Sequence, residues 1–316
     1  MSTSAFSHKT VTQTEIHAVT GAFGYSGRYI ARRLLAQKKT VRTLTNSVDK
    51  QNEFHGNIEI FPLTFDDPEQ LRKSLTGVSV LYNTYWVRFN HRNFKHSVAV
   101  ENTKKLFMAA KQVGIRRIVH TSITNPSEDS PLEYFSGKAI LETELQQSGI
   151  AHSILRPTVL FGNEDILINN IAWLLRHFPI FGVFGDGQYK LQPVFVDDFA
   201  ALAVEQGTQT DYHVIINTIG PETFTYRELV EVISQIVLGK KRIVISIPNE
   251  LGLAVGNILG LFTGDVMITK AEIMGLRQNL LYVNTPPAGS TRLTDWLQEH
   301  RNTVGKNYAS ELKRRI

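Results

Sequence analysis

The sequence predicts an α/β protein built on a doubly wound parallel sheet, with a smaller, substrate-facing region at its carboxyl end. Three observations lead there. Short apolar runs alternate with helix-length segments from Ile16 to about Leu155, and strands separated by helices pair in parallel through right-handed crossovers. The first run ends in a glycine-rich turn that opens a helical pattern. After about Arg156 the rhythm loosens, as a second and less regular unit would require.

Composition admits such a fold. With 316 residues, 42% hydrophobic and 20% charged, the chain suffices for about two structural units and lies outside the disordered, collagen-like and coiled-coil ranges. It has no cysteine, which excludes disulfides, thiolate metal sites and a cysteine nucleophile and lends secretion no support. The net charge of +5 is scattered, apart from Lys313, Arg314 and Arg315, so nucleic acid is not an expected partner. Residues 1–15 are polar and Ser/Thr-rich, without the apolar core of a signal peptide. They are expected to form a flexible tail on a cytoplasmic protein. The most apolar stretch, Leu251 to Phe262, is interrupted by Asn257 and is far shorter than the ~20 residues of a membrane span. A substrate lid or a dimer face is expected there, ahead of a peripheral contact with a bilayer.

In order along the chain, Ile16–Thr20 reads as the first strand. Tyr29, Ile30, Leu34 and Leu35 then recur at the spacing of a buried helix face. Further strands are expected near Val41–Thr45, Ile58–Phe61, Val78–Asn83, Ile115–Thr121 and Ala151–Leu155. Helices fill the gaps at Asp67–Leu75, Val98–Val113 and Leu132–Gln147, the last stopped by Ser148 and Gly149. Beyond them come a helix near Ile166–His177, a turn-rich Phe181–Gly187, a strand through Gln192–Val196 and a helix from Asp197. Asp197 and Asp198 read as a helix N-cap rather than a metal pair. His213–Asn217 is the segment expected to return to the first sheet. Asp49, Glu53 and His55 lack metal-ligand spacing, so no metal is expected.

Gly21-Ala22-Phe23-Gly24-Tyr25-Ser26-Gly27 lies between the first strand and its helix, where a dinucleotide-binding turn belongs. The first glycine allows the tight turn, the second lets backbone approach a pyrophosphate, and the third lets helix and strand pack closely. The helix N-terminus adds free N–H groups and partial positive charge. Residues 16–160 are therefore expected to form a Rossmann-type dinucleotide-binding domain and residues 161–316 a smaller substrate-binding region. The second strand ends Thr43-Leu44-Thr45-Asn46-Ser47, with no acid for a ribose 2′-hydroxyl. Thr45 and Asn46 are the cofactor-facing residues there, and NADP(H) is expected ahead of NAD(H). Arg28 and Arg42 could approach a 2′-phosphate, or could equally be solvated charges.

Tyr134 and Lys138 are four apart on the helix after the fifth strand and share one face, which continues to Leu141 and Leu145. A lysine on a buried stripe needs a partner, and a ribose together with a tyrosine oxygen would be one. Gly137 weakens the helix there, which suggests that something approaches its backbone. Ser122 lies at the carboxyl end of the fifth strand, where open α/β sheets bind ligands. The reading is Tyr134 as general acid/base, Lys138 as the charge that lowers its pKa, and Ser122 as the group that polarises a carbonyl.

Thr20-Gly21-xx-Gly24-xx-Gly27, Ile118-Val119-His120-Thr121-Ser122, Tyr134-xxx-Lys138 and Leu155-Arg156-Pro157-Thr158-Val159-Leu160-Phe161-Gly162 resemble the short-chain dehydrogenase/reductase superfamily. The gap of twelve positions from Ser122 to Tyr134 is similar to its atypical and extended branch, which includes NAD(P)-binding epimerase/dehydratases and the complex I accessory-subunit type. Leu191–Asp198 and Gly220–Tyr226 look like segments of the second half of that branch. The resemblance implies an NAD(P)-dependent oxidoreductase acting on a carbonyl or alcohol, either a monomer or a homodimer. It also implies Asp66 near the adenine, Asn83 and Thr84 along the cofactor ribose, and Pro157 against the nicotinamide. Ala99 stands where many extended members carry an asparagine that supports a proton relay. A nucleotide-sugar epimerase or dehydratase with retained NAD, and a non-catalytic NAD(P)-binding sensor or assembly protein, are the alternatives. Arg88, His91, Arg92, Lys95 and His96, mixed with Tyr85, Trp86 and Phe89, could clamp an anionic small-molecule substrate, or be a solvated basic loop with aromatic anchors.

Overall fold

The computed structural model describes residues 15–314, apart from 50, 92–93, 211, 249, 251, 255, 257–259 and 261–263. The expected tail through residue 14, Arg92, Arg315 and most of the 251–262 stretch lie outside the described residues. The first half runs β1 (Ile16–Thr20), α1 (Tyr25–Ala36), β2 (Thr40–Thr45), β3 (Glu59–Pro62), α2 (Pro68–Leu75), β4 (Val78–Asn83), α3 (His96–Gln112), β5 (Arg117–Thr121), α4 (Glu133–Gln147) and β6 (Ala151–Pro157). There follow β7 (Leu160–Phe161), α5 (Leu167–His177), β8 (Ile180–Phe184), β9 (Lys190–Leu191), β10 (Val194–Phe195), α6 (Val196–Thr208), β11 (Val214–Thr218), β12 (Phe224–Thr225), α7 (Tyr226–Leu238), β13 (Ile243–Ile247), α8 (Lys270–Arg277), α9 (Leu293–His300) and α10 (Glu311–Arg314).

Seven strands make one sheet in the order β11-β6-β5-β4-β1-β2-β3, each pair parallel. Strand side chains alternate between two helix layers, as a sheet covered on both faces demands. Ala18, Leu81 and Ile118 face Leu71, Leu106 and Leu141 from α2, α3 and α4. Val19, Val80 and Tyr82 face Ile30, Leu34 and Phe199 from α1 and α6. Because the strand order reverses between β1 and β4, a crevice opens at their carboxyl ends, the place where such sheets bind ligands.

A second core joins Phe161, Ile168, Leu175, Val183, Leu229, Ile233, Leu293 and Leu297. Three expectations are corrected in this half. Phe181–Gly187 is not all turn: Ile180–Phe184 is a strand, held in parallel register by β13 from Ile243↔Ile180 to Ile247↔Phe184. Asp197 and Asp198 do not cap α6, which starts at Val196 with no side-chain cap. Their carboxylates are drawn to stronger donors. Asp197 accepts both arms of Arg33 at 2.7 and 2.8 Å, and Asp198 accepts the backbone N–H groups of Ser290 and Thr291 at 2.8 and 2.7 Å. The strand expected through Gln192–Val196 is confined to Val194–Phe195, paired with β7.

At the opposite end of the sheet Arg117 on β5 is fully buried. Its guanidinium donates to the Gln206 and Tyr212 carbonyls at 2.6 and 2.9 Å and to Ser153 Oγ at 2.5 Å, so it ties β5, β6 and the end of α6 together. Arg117→Met would strand two buried carbonyls. Urea unfolding should show a loss of roughly 2–4 kcal/mol, with the m-value unchanged.

Candidate functional site

The glycine turn is a preformed cradle. Gly21 adopts φ of +69°, a left-handed conformation that favours glycine, and its N–H donates to the Leu44 carbonyl at 2.9 Å. A Cβ on Gly27 would fall 2.5 Å from the Gly21 carbonyl oxygen, and one on Gly24 would fall 3.1 Å from it. α1 begins directly behind, capped by Gly24 with no side-chain hydrogen bond and with no acid in its first turn. The N-terminus of α7, by contrast, is closed by a Thr225–Glu228 capping box. Free N–H groups at an uncapped, positive helix end fit a pyrophosphate. Tyr25 and Ser26 lie in that first turn. Phe23 is buried and stacked on Phe54, so it offers main chain only.

On the adenosine side, Thr45 Oγ1 accepts from Ser47 N at 3.1 Å, which shapes the turn, and Asn46 is exposed. Asp66 is fully exposed, 4.0 Å from Lys105 Nζ. Both arginines offered to a 2′-phosphate are engaged elsewhere. Arg42 is buried over Phe61, bonded to Glu59 at 2.8 Å and to the Ser74 and Thr76 carbonyls at 3.0 and 2.8 Å. Arg28 reaches Glu164 at 3.3 Å and the Phe23 carbonyl at 3.1 Å. The grounds for preferring NADP(H) on these two residues are thereby removed.

Asn83 and Thr84 latch the strand ends. Thr20 Oγ1 donates to Asn83 Oδ1 at 3.1 Å and accepts from Thr84 N at 2.8 Å; Thr84 Oγ1 donates to the Thr20 carbonyl at 2.6 Å; and Asn83 Nδ2 meets His120 Nδ1 at 3.0 Å. Their side chains are engaged with one another, which leaves the main chain to face a ribose. Pro157 ends β6, buried, its carbonyl accepting from Thr124 N at 3.1 Å.

Ser122 is buried and donates its hydroxyl to Glu142 Oε1 at 2.5 Å, while Arg156 clamps the same carboxylate. Its proton is thus directed at a charged acceptor. Lys138 bonds a backbone carbonyl rather than Tyr134. Its Nζ donates to the Thr121 carbonyl at 2.7 Å and lies 4.3 Å from the centre of the Trp86 ring, while Trp86 meets the Tyr134 ring edge-on at 5.6 Å. Gly137 exists for this wedge, since a Cβ there would come within 3.0 Å of both Trp86 and Val100. Burial pushes the Lys138 ammonium down to about 7, against the pull of Glu142. Tyr134 is pushed above its ordinary value by burial, then by Glu272, with Arg88 opposing.

Tyr134 faces a cavity of about 600 Å³, walled also by His96, Arg88, Glu272 and apolar residues of α4, α5 and α8. Among the described residues, which leave out Arg92, no anionic clamp is assembled. Arg88 is neutralised by Glu272 at 2.6 Å, His91 exchanges backbone hydrogen bonds with Phe94, Lys95 is exposed, and His96 is buried against Trp86, its rings 5.7 Å apart. Ala99 is buried too and places no polar group at the relay position. Glu142, Arg156 and Glu272 were not picked out from the sequence, although Glu142 stands four residues after Lys138 on the same buried stripe, a legible sign of a second charge there.

Residues 21–170 match the family described as NAD(P)H-binding. They form a domain similar to that NAD(P)H-binding family. Among curated relatives, the NADH dehydrogenase [ubiquinone] 1 alpha subcomplex subunit 9 of Arabidopsis thaliana is 27% identical over 70% of this chain and 58% of its own length. The NADH-ubiquinone oxidoreductase 40 kDa subunit of Neurospora crassa is 26% identical over 76% and 65%. The chain thus spans less than two thirds of these relatives. In fold it is similar to the Citrobacter triphenylmethane reductase (TM-score 0.74, 17% identity, covering 92% of this chain and 100% of that one) and to a Staphylococcus aureus nucleoside-diphosphate-sugar epimerase (0.70, 15%, covering 90% and 99%). Among the described residues, no group of acidic or histidine side chains could hold a metal, and no helix is long and apolar enough to cross a membrane.

Two outcomes follow for this domain. Gly27→Val should abolish NADH and NADPH binding in fluorescence titration and lower Tm, because its side chain collides with the turn backbone. The Lys138 effect has a definite sign. Unfolded, the ammonium releases its proton near 10.5, but folded near 7, so this group adds stability as pH rises from about 7 to 10.5 and withdraws it as pH falls to 7. Lys138→Met should show a flatter stability profile over that window, read by urea unfolding from pH 7 to 10.5.

Proposed function

We propose that the protein is an NAD(P)H-dependent reductase, in which Tyr134 donates a proton to a carbonyl oxygen held in the 600 Å³ cavity. The observation that carries this reading is the place of Tyr134 in the wall of that cavity, beside Thr158 and Val159 just after β6. Burial holds its phenol above the ordinary value, so it stays protonated at neutral pH, the form that can give a proton to the oxygen as a carbonyl is reduced. Alcohol oxidation, and epimerisation through an oxidised intermediate, need a phenolate base instead, which burial and Glu272 disfavour. The cradle at Gly21, Gly24 and Gly27 and the open end of α1 would hold the pyrophosphate. Asn83 and Thr84 would line the ribose through their main chain, and Pro157 would lie beside the nicotinamide. NAD(P)H, when bound, supplies the hydride. Tyr134 supplies the proton, and Trp86 and His96 hold its ring in place on two sides at 5.6 Å each.

Ser122 supports a second reading, that of a protein which holds NAD(P)H without turning it over. A triad member committed to the Glu142–Arg156 pair adds nothing to catalysis, and two curated relatives are named as NADH dehydrogenase or oxidoreductase subunits. Nucleotide oxidation followed at 340 nm with a panel of aldehydes and ketones separates the two. For the reductase, Tyr134→Phe should lower kcat by about 10²-fold or more while the Kd for nucleotide stays within about twofold. Equal turnover by Tyr134→Phe would remove the role given to Tyr134. Tight nucleotide binding with no turnover of any carbonyl would assign the holding role.

A further inference from the structure

The Tyr134 cavity has a neighbour. A second cavity, of about 500 Å³, lies between α5, β8 and β13, and Leu167 and Ile268 line both. Polar groups are unevenly divided between them. The first carries Tyr134, Asn90 and the Arg88–Glu272 pair. The second is walled by Leu174, Phe181, Phe184, Ile245 and Ile247, and its polar side chains are Tyr226 and Asn170, the latter bonded to the Ala309 backbone at 3.0 Å through Nδ2 and 2.8 Å through Oδ1. Phe178, Ile180 and Ile245 line the second cavity while exposing 40%, 50% and 44% of their surface, so it opens outward on that side. Ile243, 61% exposed, continues the apolar strip along β13.

We propose that the two cavities form one elongated site for a single-chain lipophilic molecule, an alkyl or prenyl chain with a carbonyl or hydroxyl at one end. The oxygen end sits at Tyr134. The chain passes Leu167 and Ile268 and runs through the second cavity to its mouth at Ile180 and Ile245. Leu167 and Ile268, which line both cavities, are the side chains whose rotation would open a passage. A predominantly apolar lining gains by displacing water with hydrocarbon, about fourfold in affinity for each methylene buried. The polarity gradient sets the direction of the chain, because an oxygen finds fewer hydrogen-bonding partners in the second cavity than beside Tyr134. This deepens the reading of the Tyr134 cavity as a substrate site and rests on it.

The test is calorimetric titration of the full chain with straight-chain primary alcohols from six to twelve carbons, without turnover. Affinity should rise two- to fourfold per added methylene. Ile268→Trp, which fills the passage, should lose the gain beyond hexanol. Ile245→Glu, on the exposed face where folding is not at risk, should weaken dodecanol at least tenfold and leave hexanol unchanged. A flat series in the wild type, or an undiminished gain in both variants, overturns the proposal. So does a dimer in sedimentation that Ile245→Glu dissociates while the alcohol series stays flat, since a second copy would then cover the apolar strip. The outcomes separate from those of the reductase reading: a protein that shows the gain but reduces no carbonyl keeps the elongated site and loses the reductase, and one that reduces short carbonyls with a flat series does the reverse.

Discussion

Two opposite charges buried one turn apart on α4 organise the whole site. Lys138 and Glu142 are each at most 3% exposed, and a charge taken out of water must find compensation at short range. They do not satisfy each other by direct contact. Lys138 takes the Thr121 carbonyl and the face of Trp86, and Glu142 takes Ser122 and Arg156. Three consequences follow from that division. Trp86 is drawn inward against Gly137, Ser122 is turned toward the helix beneath it, and Tyr134 is left in an apolar wall with Trp86 and His96 around its ring.

The isolation of Tyr134 gives the site its chemical sense. In a solvated or cation-flanked position the phenol would ionise more readily, and the site would serve equally as base or acid. Against Trp86, His96 and Phe135, and with Glu272 nearby, the neutral form is favoured. The Arg88–Glu272 pair then does more than close the cavity. It compensates the Arg88 charge in a wall that also carries Lys270. The same ion pair joins the loop after β4 to α8, so the wall of the cavity depends on contact between the sheet and the carboxyl-terminal segment.

That contact is built from carboxylates that collect backbone donors. Asp198 gathers the N–H groups at 290 and 291, Glu222 bonds Thr294 N at 3.0 Å and Thr294 Oγ1 at 2.8 Å, and Asp265 receives Glu311 N at 2.8 Å. The first orders the irregular stretch before α9, and the other two bond the first turns of α9 and α10, consistent with the requirement that buried backbone groups be paired.

The alternation of strand and helix through Leu155, the glycine turn and the buried stripe of α4 were legible in the sequence because each is a local pattern: period, spacing, and glycines where a Cβ would collide. Tyr134, Lys138 and Ser122 were legible as positions on elements, whereas the partners of Lys138 and Ser122 were not, since a partner depends on what lies opposite. Nothing in Tyr134-xxx-Lys138 announces that Trp86, 48 residues earlier in the chain, slides against both. Nor does Ser122 reveal that an acid twenty residues on will take its proton. Arg28 and Arg42 were legible as charges but not as paired charges. The parallel pairing of β8 with β13 joins segments about sixty residues apart, beyond the reach of periodicity. By itself the sequence determined the sheet and the cradle, which depend on neighbours along the chain. Only the tertiary structure decided which charges are compensated, and so which protons are free to move, because desolvation and hydrogen-bond partnership are set by residues distant in sequence.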